Sequence, residues 1–451
     1  MAAAEELHTE ERARAGLAGA PVASPETFAG VTTQSERRRA FVILFVSMIC
    51  MGAGQSVMYI VLPSLARKLG LTEFEGQLPF TVSSAIWIYT SHLWGKRSDH
   101  WGRKPIILMG LSAFGISFAL FALFAQLGVA RILLVSIAYP LMVASRSMYG
   151  VFGSGAAPAA QAYVADRTTR AERMQGVAAI GAAFGIGTTV GPLFGSWLSA
   201  FGLFAPFYAT AVAALGSAAA IFLFLPERTR PRLRLESHRA RLKWYDSRIL
   251  PFVIFATGIS TAGAIPVPLM GYLFIDSLHL DPALANQYTG IGILAMALAT
   301  LFAQLVIVQR FNISARALIH WGTLIGLASF VMLAVGGPFG SLVSALAISG
   351  VGFGMVRPSY TAAASLTVDA EEQGAVAGII SATSAAGFIF GPMVATALYP
   401  HMHEVPWIWG AVTMAGLYVY ALVSPQLRNA GALAPESGVV EESASTQVPN
   451  A

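Results

Sequence analysis

The sequence predicts an all-α polytopic membrane protein whose twelve transmembrane helices form two pseudo-symmetric six-helix bundles. Three observations carry that expectation. Of 451 residues, 55% are hydrophobic and 11% are charged, against about 25% charged in a soluble domain, which leaves too little charge to coat the surface of a soluble chain of this length. Apolar runs near or above the ~20 residues that cross a ~30 Å hydrocarbon core recur along the chain. The sequence also matches itself at an offset of 200 positions: Gly150-Val151 with Gly350-Val351, Pro158 with Pro358, Glu172 with Glu372, Gly187 with Gly387 and Gly191-Pro192 with Gly391-Pro392.

Residues 1–40 contain Pro21 and Pro25, show no apolar periodicity and end in the basic cluster Arg37, Arg38, Arg39. They read as a disordered cytoplasmic tail. Six apolar runs follow at 41–65, 78–95, 105–127, 132–160, 175–200 and 204–225, and define an N-terminal bundle over 41–225. The first run exceeds the ~7–15-residue core of a secretory signal and reads as a retained span. Residues 226–248 hold eight Lys or Arg and read as a cytoplasmic linker, where contact with anionic lipid explains the charge better than nucleic acid does. Runs at 249–275, 287–309, 316–335, 341–364, 374–398 and 405–424 make a C-terminal bundle over 249–424, and 425–451 form a second disordered tail. The Gly- and Pro-rich fourth, fifth, seventh and tenth runs are expected to bend.

With the N-terminus placed inside, 23 basic residues fall on inner segments and three, Arg67, Lys68 and Arg131, on outer loops. That asymmetry places both termini in the cytoplasm of a cell whose inner (plasma) membrane holds the chain. The remaining two cations lie within spans. Arg146 follows Arg131 by fifteen residues, about 22 Å into the membrane, where an arginine costs about 2.5–3.5 kcal/mol and must face a cavity or a partner. Its repeat equivalent is Leu346, so the shared scaffold does not require it. Tyr149 shares its helical face, and Gln55 and Tyr59 on the first span offer hydrogen bonds without negative charge. Arg357 in the tenth span is the second such cation. No Asp or Glu falls well inside a span, and a cavity of arginines without acids prefers an anionic or neutral ligand. No nucleotide-binding loop, metal-ligand spacing or nucleophile with its base is present, which argues against an enzyme and for a chain without cofactors or metal.

Between the second and third spans, Gly95, Ser98, Asp99, Gly102, Arg103 and Lys104 match the pattern G-x-L-[AS]-D-[RK]-x-G-[RK]-[RK], which resembles the signature of the major facilitator superfamily. Arg97 stands at the usual Leu and His100 at the usual basic residue. In the fifth span, Gly187-x3-Gly191-Pro192-x2-Gly195 resembles the antiporter signature of the superfamily's drug/proton branch, with Ser196 at the last Gly; glycines on one face permit close helix approach and Pro192 bends the helix. Arg146 with Tyr149 and Gly150 is similar to the family's fourth-span R-x-x-Q-G, with Tyr for Gln. The resemblance covers about residues 41–424.

It implies a secondary transporter, working as a monomer in the lipid bilayer by alternating access, that couples protons to efflux of a small-molecule substrate, as multidrug and tetracycline antiporters do. It implies a gating role for the loop, where Asp99 and Arg103 are the expected ionic pair. The first-span carboxylate of many cation exporters is absent, which turns the expected cargo toward a drug or metabolite with an acidic or strongly polar group, siderophore-like chelators among them. Proton-coupled uptake of an organic anion is the alternative.

Overall fold

A computed structural model describes residues 34–168, 170–226, 242–311, 313–369 and 372–430. The tail expected over 1–40, the linker over 226–248 and the tail over 425–451 therefore lie largely outside the described residues. The chain divides into two compact units, Met1–Leu235 and Glu236–Ala451. Among the described residues the ordered elements are all helical.

In the first unit the helices are α1 (Gln34–Leu69), α2 (Glu73–Trp101), α3 (Arg103–Val129), α4 (Val135–Gly153), α5 (Ala156–Ala165), α6 (Arg170–Ser199) and α7 (Ala205–Phe224). In the second they are α8 (Leu250–Gly263), α9 (Pro266–Leu278), α10 (Pro282–Phe302) continuing as a π-helix over Ala303–Val308, α11 (Ala315–Val335), α12 (Phe339–Ser365), α13 (Gln373–Leu398), α14 (Val405–Val423) and the short α15 (Pro425–Arg428). Ten helical stretches among the described residues are long and apolar enough to cross a membrane, not the twelve expected. The second and fourth runs fall short. In α2 the polar residues explain this: Ser83 donates to the Arg146 carbonyl at 3.0 Å, Thr90 to the Gly150 carbonyl at 2.9 Å, and the Trp94 indole to the Val151 carbonyl at 2.6 Å. Such groups bind α2 to α4 and leave less apolar surface for lipid. The fourth run is interrupted at Ser154-Gly155, between α4 and α5. The fifth and tenth runs continue as unbroken helices through Pro192 and Pro358.

Each unit repeats one pairing scheme. In the first, α6 lies along α1, α4 against α2 and α3, and α7 against α3; in the second, α13 lies along α8, α12 against α10 and α11, and α14 against α11. The repeat glycines mark these crossings. A side chain on Gly150 would collide with the Ser83 carbonyl of α2, and one on Gly350 with the Met296 carbonyl of α10. Likewise Gly187 and Gly191 seat α6 on Ile49 and Ala53 of α1, while Gly387 and Gly391 seat α13 on Thr257 and Thr261 of α8. Large apolar side chains such as Trp197, Phe201, Phe222, Val335 and Val423 stand exposed on the outside of the helices, the arrangement that suits a lipid solvent.

Candidate functional site

The Arg146 side chain is buried inside the first unit among residues of α1, α2 and α3. Its position on α4 is 1% exposed. The guanidinium donates from Nη2 to Gln55 Oε1 of α1 and sits over the rings of Tyr149 (4.7 Å), Phe80 of α2 (5.1 Å) and Phe118 of α3 (5.1 Å). Tyr59 of α1 stacks on Phe80 at 4.8 Å, and Tyr149 leans on Phe114 at 4.8 Å and Trp87 at 5.2 Å. The four residues singled out by sequence, Arg146, Tyr149, Gln55 and Tyr59, are thus brought into one cluster. Phe80, Phe114, Phe118 and Trp87 are additions that depth of an arginine alone does not reveal, although Phe114 and Phe118 share a helical face.

Burying a cation costs several kcal/mol, and here aromatic quadrupoles, at up to about 2 kcal/mol per desolvated contact, offset part of that cost in place of a carboxylate. Arg146 Nε and Nη1 and the Tyr149 hydroxyl are buried without a hydrogen-bond partner. Those groups are donors. An oxyanion brought against this guanidinium would accept from its open N–H groups, the charge-assisted bonds by which arginine binds carboxylate and phosphate.

Arg357 occupies α12 of the second unit, with its guanidinium 5.0 Å from the Phe388 ring and 5.9 Å from Phe353.

The loop signature resolves into separate roles. Gly102 joins α2 to α3 alone, at φ 98° and ψ 162°, a conformation essentially confined to glycine. Arg103 donates to Asp166 at 3.1 Å, at the end of α5, and to Ser98 at 3.0 Å. Lys104 donates to the Phe222 carbonyl at 2.8 Å, placing a cation at the C-terminal end of α7, where the helix dipole favours it. Gly95 faces open space, so packing does not demand glycine there. The side chain of Asp99 lies outside the described residues. In the antiporter-type helix, Gly187 and Gly191 meet backbone of α1 while Gly195 has its nearest neighbour at Val57, 3.2 Å from where a Cβ would stand.

Two repeats of long apolar helices, each holding an arginine with buried, unpartnered nitrogen, define a polytopic membrane protein. The sequence model of the Major Facilitator Superfamily matches residues 44–392 and 252–440, and the chain belongs to that family. Multidrug resistance protein 2 of Bacillus subtilis (strain 168) is 28% identical over 414 residues, covering 88% of this chain and 98% of the relative. The bacillibactin exporter of the same organism is 26% identical over 376 residues, covering 80% and 89%. Among solved structures, the human organic anion transporter MFSD10 (TETRAN) is similar with a TM-score of 0.58 at 20% identity, covering 85% of this chain and 99% of that one.

Proposed function

We propose that the chain exports a small organic molecule with an acidic or strongly polar group, coupled to protons, from the cytoplasmic side of the inner membrane, with both termini cytoplasmic and the monomer as the working unit. The observation that carries the cargo's charge is Arg146, buried with two unpartnered nitrogens and held by aromatic faces. A cationic cargo would add like charge to this pocket, whereas an oxyanion would complete its hydrogen bonds. Tyr149, Gln55 and Tyr59 shape the same pocket, with the Tyr149 hydroxyl as a further donor. Relatives named for multidrug resistance and for bacillibactin export support the direction, and a fold neighbour named for organic anions supports the charge. The loop carrying Asp99 and Arg103, through contacts such as Arg103 to Asp166, holds one conformation of the inner end, and the Gly187 to Gly195 face lets α6 slide against α1 during turnover.

The test is paired. Flux measured in inverted and right-side-out vesicles under an imposed pH gradient separates export by antiport from uptake by symport. Binding to purified protein decides the charge: carboxylated ligands are expected to bind, with Arg146→Lys losing most of that affinity. Tight binding of monovalent cationic dyes with no binding of anionic analogues overturns the anion reading.

A further inference from the structure

The second unit holds a groove of about 650 Å³ lined by Gln304, Gln309, Arg357, Thr361, Ser365 and Ala377 among others. Its floor is unusual in three independent ways. Arg357 Nε is buried and unpartnered, and no carboxylate is recorded against this guanidinium among the described residues. One wall is the π-helical segment Ala303–Val308. There, Ala303 turns into a small core with Leu318 and Met355, while Gln304 and Val308 line the groove. Such π turns are uncommon and recur at functional sites. The third is Gly263, where a Cβ would stand 3.0 Å from Arg357 Nη2 and 3.1 Å from the Phe353 ring, so the missing side chain gives the guanidinium its room.

The scaffold does not account for this arginine. Two hundred positions earlier the same Pro, Pro158, is preceded by Ala157, so the repeat folds without a cation there. An arginine about 12 Å from the end of its helix needs more than the two rings beside it. The Thr361 and Ser365 hydroxyls already donate to the Arg357 and Ala362 carbonyls at 2.9 and 2.8 Å, so what the groove offers is the Arg357 guanidinium, with its unpartnered Nε–H, and the carboxamides of Gln304 and Gln309. This is the donor set for a planar or tetrahedral oxyanion.

We propose that this groove is an oxyanion-binding subsite, in which Arg357 takes the carboxylate or phosphate of a bound molecule. The inference goes beyond the Arg146 reading and does not depend on it. The oxyanion has two sources, a soluble anion or the phosphate of an acidic lipid, and the test has an arm for each.

Thermal unfolding of the purified full-length chain in uncharged detergent is followed by tryptophan fluorescence. One arm titrates sodium benzoate and inorganic phosphate; the other titrates dioleoylphosphatidylglycerol against dioleoylphosphatidylcholine. The expected result is a saturable upward shift in at least one arm, a component of which is lost in Arg357→Gln and partly kept in Arg357→Lys. Should Arg357→Gln not yield folded protein, Gln304→Leu and Gln309→Leu keep the cation and are expected to weaken the midpoint at least about fivefold. A response of equal size in the Arg357 or lining variants, or no saturable response to either source, overturns the proposal. Loss of the shift in Arg146→Gln alone would assign it to the other pocket and likewise overturn it.

Discussion

Glu372 accepts hydrogen bonds from both terminal nitrogens of Arg248, at 2.9 and 3.3 Å. Two hundred positions earlier, Glu172 holds Arg37 at 3.5 Å. In each unit an acid at the start of one long helix, α13 or α6, ties it to an arginine at the start of the helix it lies along, α8 or α1. Arg248 differs from Arg37 in also engaging Asp246, at 3.0 Å.

That contact sets a pH dependence. Hydrogen bonds from the Arg248 side chain and backbone hold Asp246 below the ordinary carboxylate range, and Asp246 and Glu372 hold Arg248 above its usual value. A depressed carboxylate stabilises the fold above its unfolded value of about 4, and that stabilisation fades as pH falls through the folded value. The wild type is therefore expected to melt above Asp246→Asn near neutral pH, with the gap closing as pH falls below the unfolded carboxylate value of about 4. Both groups are solvent-facing, so the gap should also shrink in molar salt.

Gln55→Leu removes the hydrogen-bond acceptor that Gln55 offers the Arg146 guanidinium. Leaving that buried donor unmet is expected to cost about 1–3 kcal/mol in chemical denaturation. Arg146→Lys keeps the charge and gives up the planar face over Tyr149, Phe80 and Phe118, so it should retain membrane yield while anion binding drops about tenfold or more.

Gly187→Ala and Gly191→Ala drive a methyl into α1, and Gly391→Ala drives one into the Thr261 carbonyl of α8. Each is expected to lose about 1–3 kcal/mol. Gly195→Ala meets only a movable Val57 side chain and should be near neutral by the same thermal assay. A Gly391→Ala protein as stable as wild type would count against packing as the reason for the shared glycines.

Asp166→Asn weakens the contact to Arg103 at 3.1 Å. Turnover should fall while folded protein in the membrane is unchanged, and Asp99→Asn is expected to act in the same direction. Stopped-flow transport in vesicles reads this, and unaltered rates in both would reduce the loop to a determinant of topology.

Single cysteines placed within 230–240 of a Cys50→Ala background should resist a membrane-impermeant thiol reagent applied to intact cells and react in inverted vesicles. The expectation rests on the basic residues that crowd the inner segments.

Helix positions and the repeat were legible because hydropathy and a fixed offset of glycines are local signals. Arg146 was legible for a similar reason: a cation deep in an apolar run has few innocent explanations. The aromatic seats of Phe80, Phe118 and Phe114 were hidden, since phenylalanine in an apolar span says nothing of which face it turns inward. In span two, Ser83 and Thr90 look like dilution of hydropathy, and sequence alone does not show that they are spent on the carbonyls of α4. The π-helical turn at Ala303–Val308 had no sequence signal, lacking both Pro and Gly; it arises from how Ala303 fits Leu318 and Met355. The contact of Arg103 with Asp166 had no local signal, because Asp166 is 63 positions away and arrives through the fold.

Gly102 is the entire connection between helices of 29 and 27 residues. A single residue supplies two soft torsions, so the joint has no slack in which one rod can drift without the other. The longer rod is about 44 Å, and a 10° turn at the joint displaces its far end by about 8 Å. In the proposed gating role the loop would act as a lever's fulcrum, with a contact no larger than one ion pair delivered to the far end of the helix as a movement wide enough to admit or shut out a small molecule.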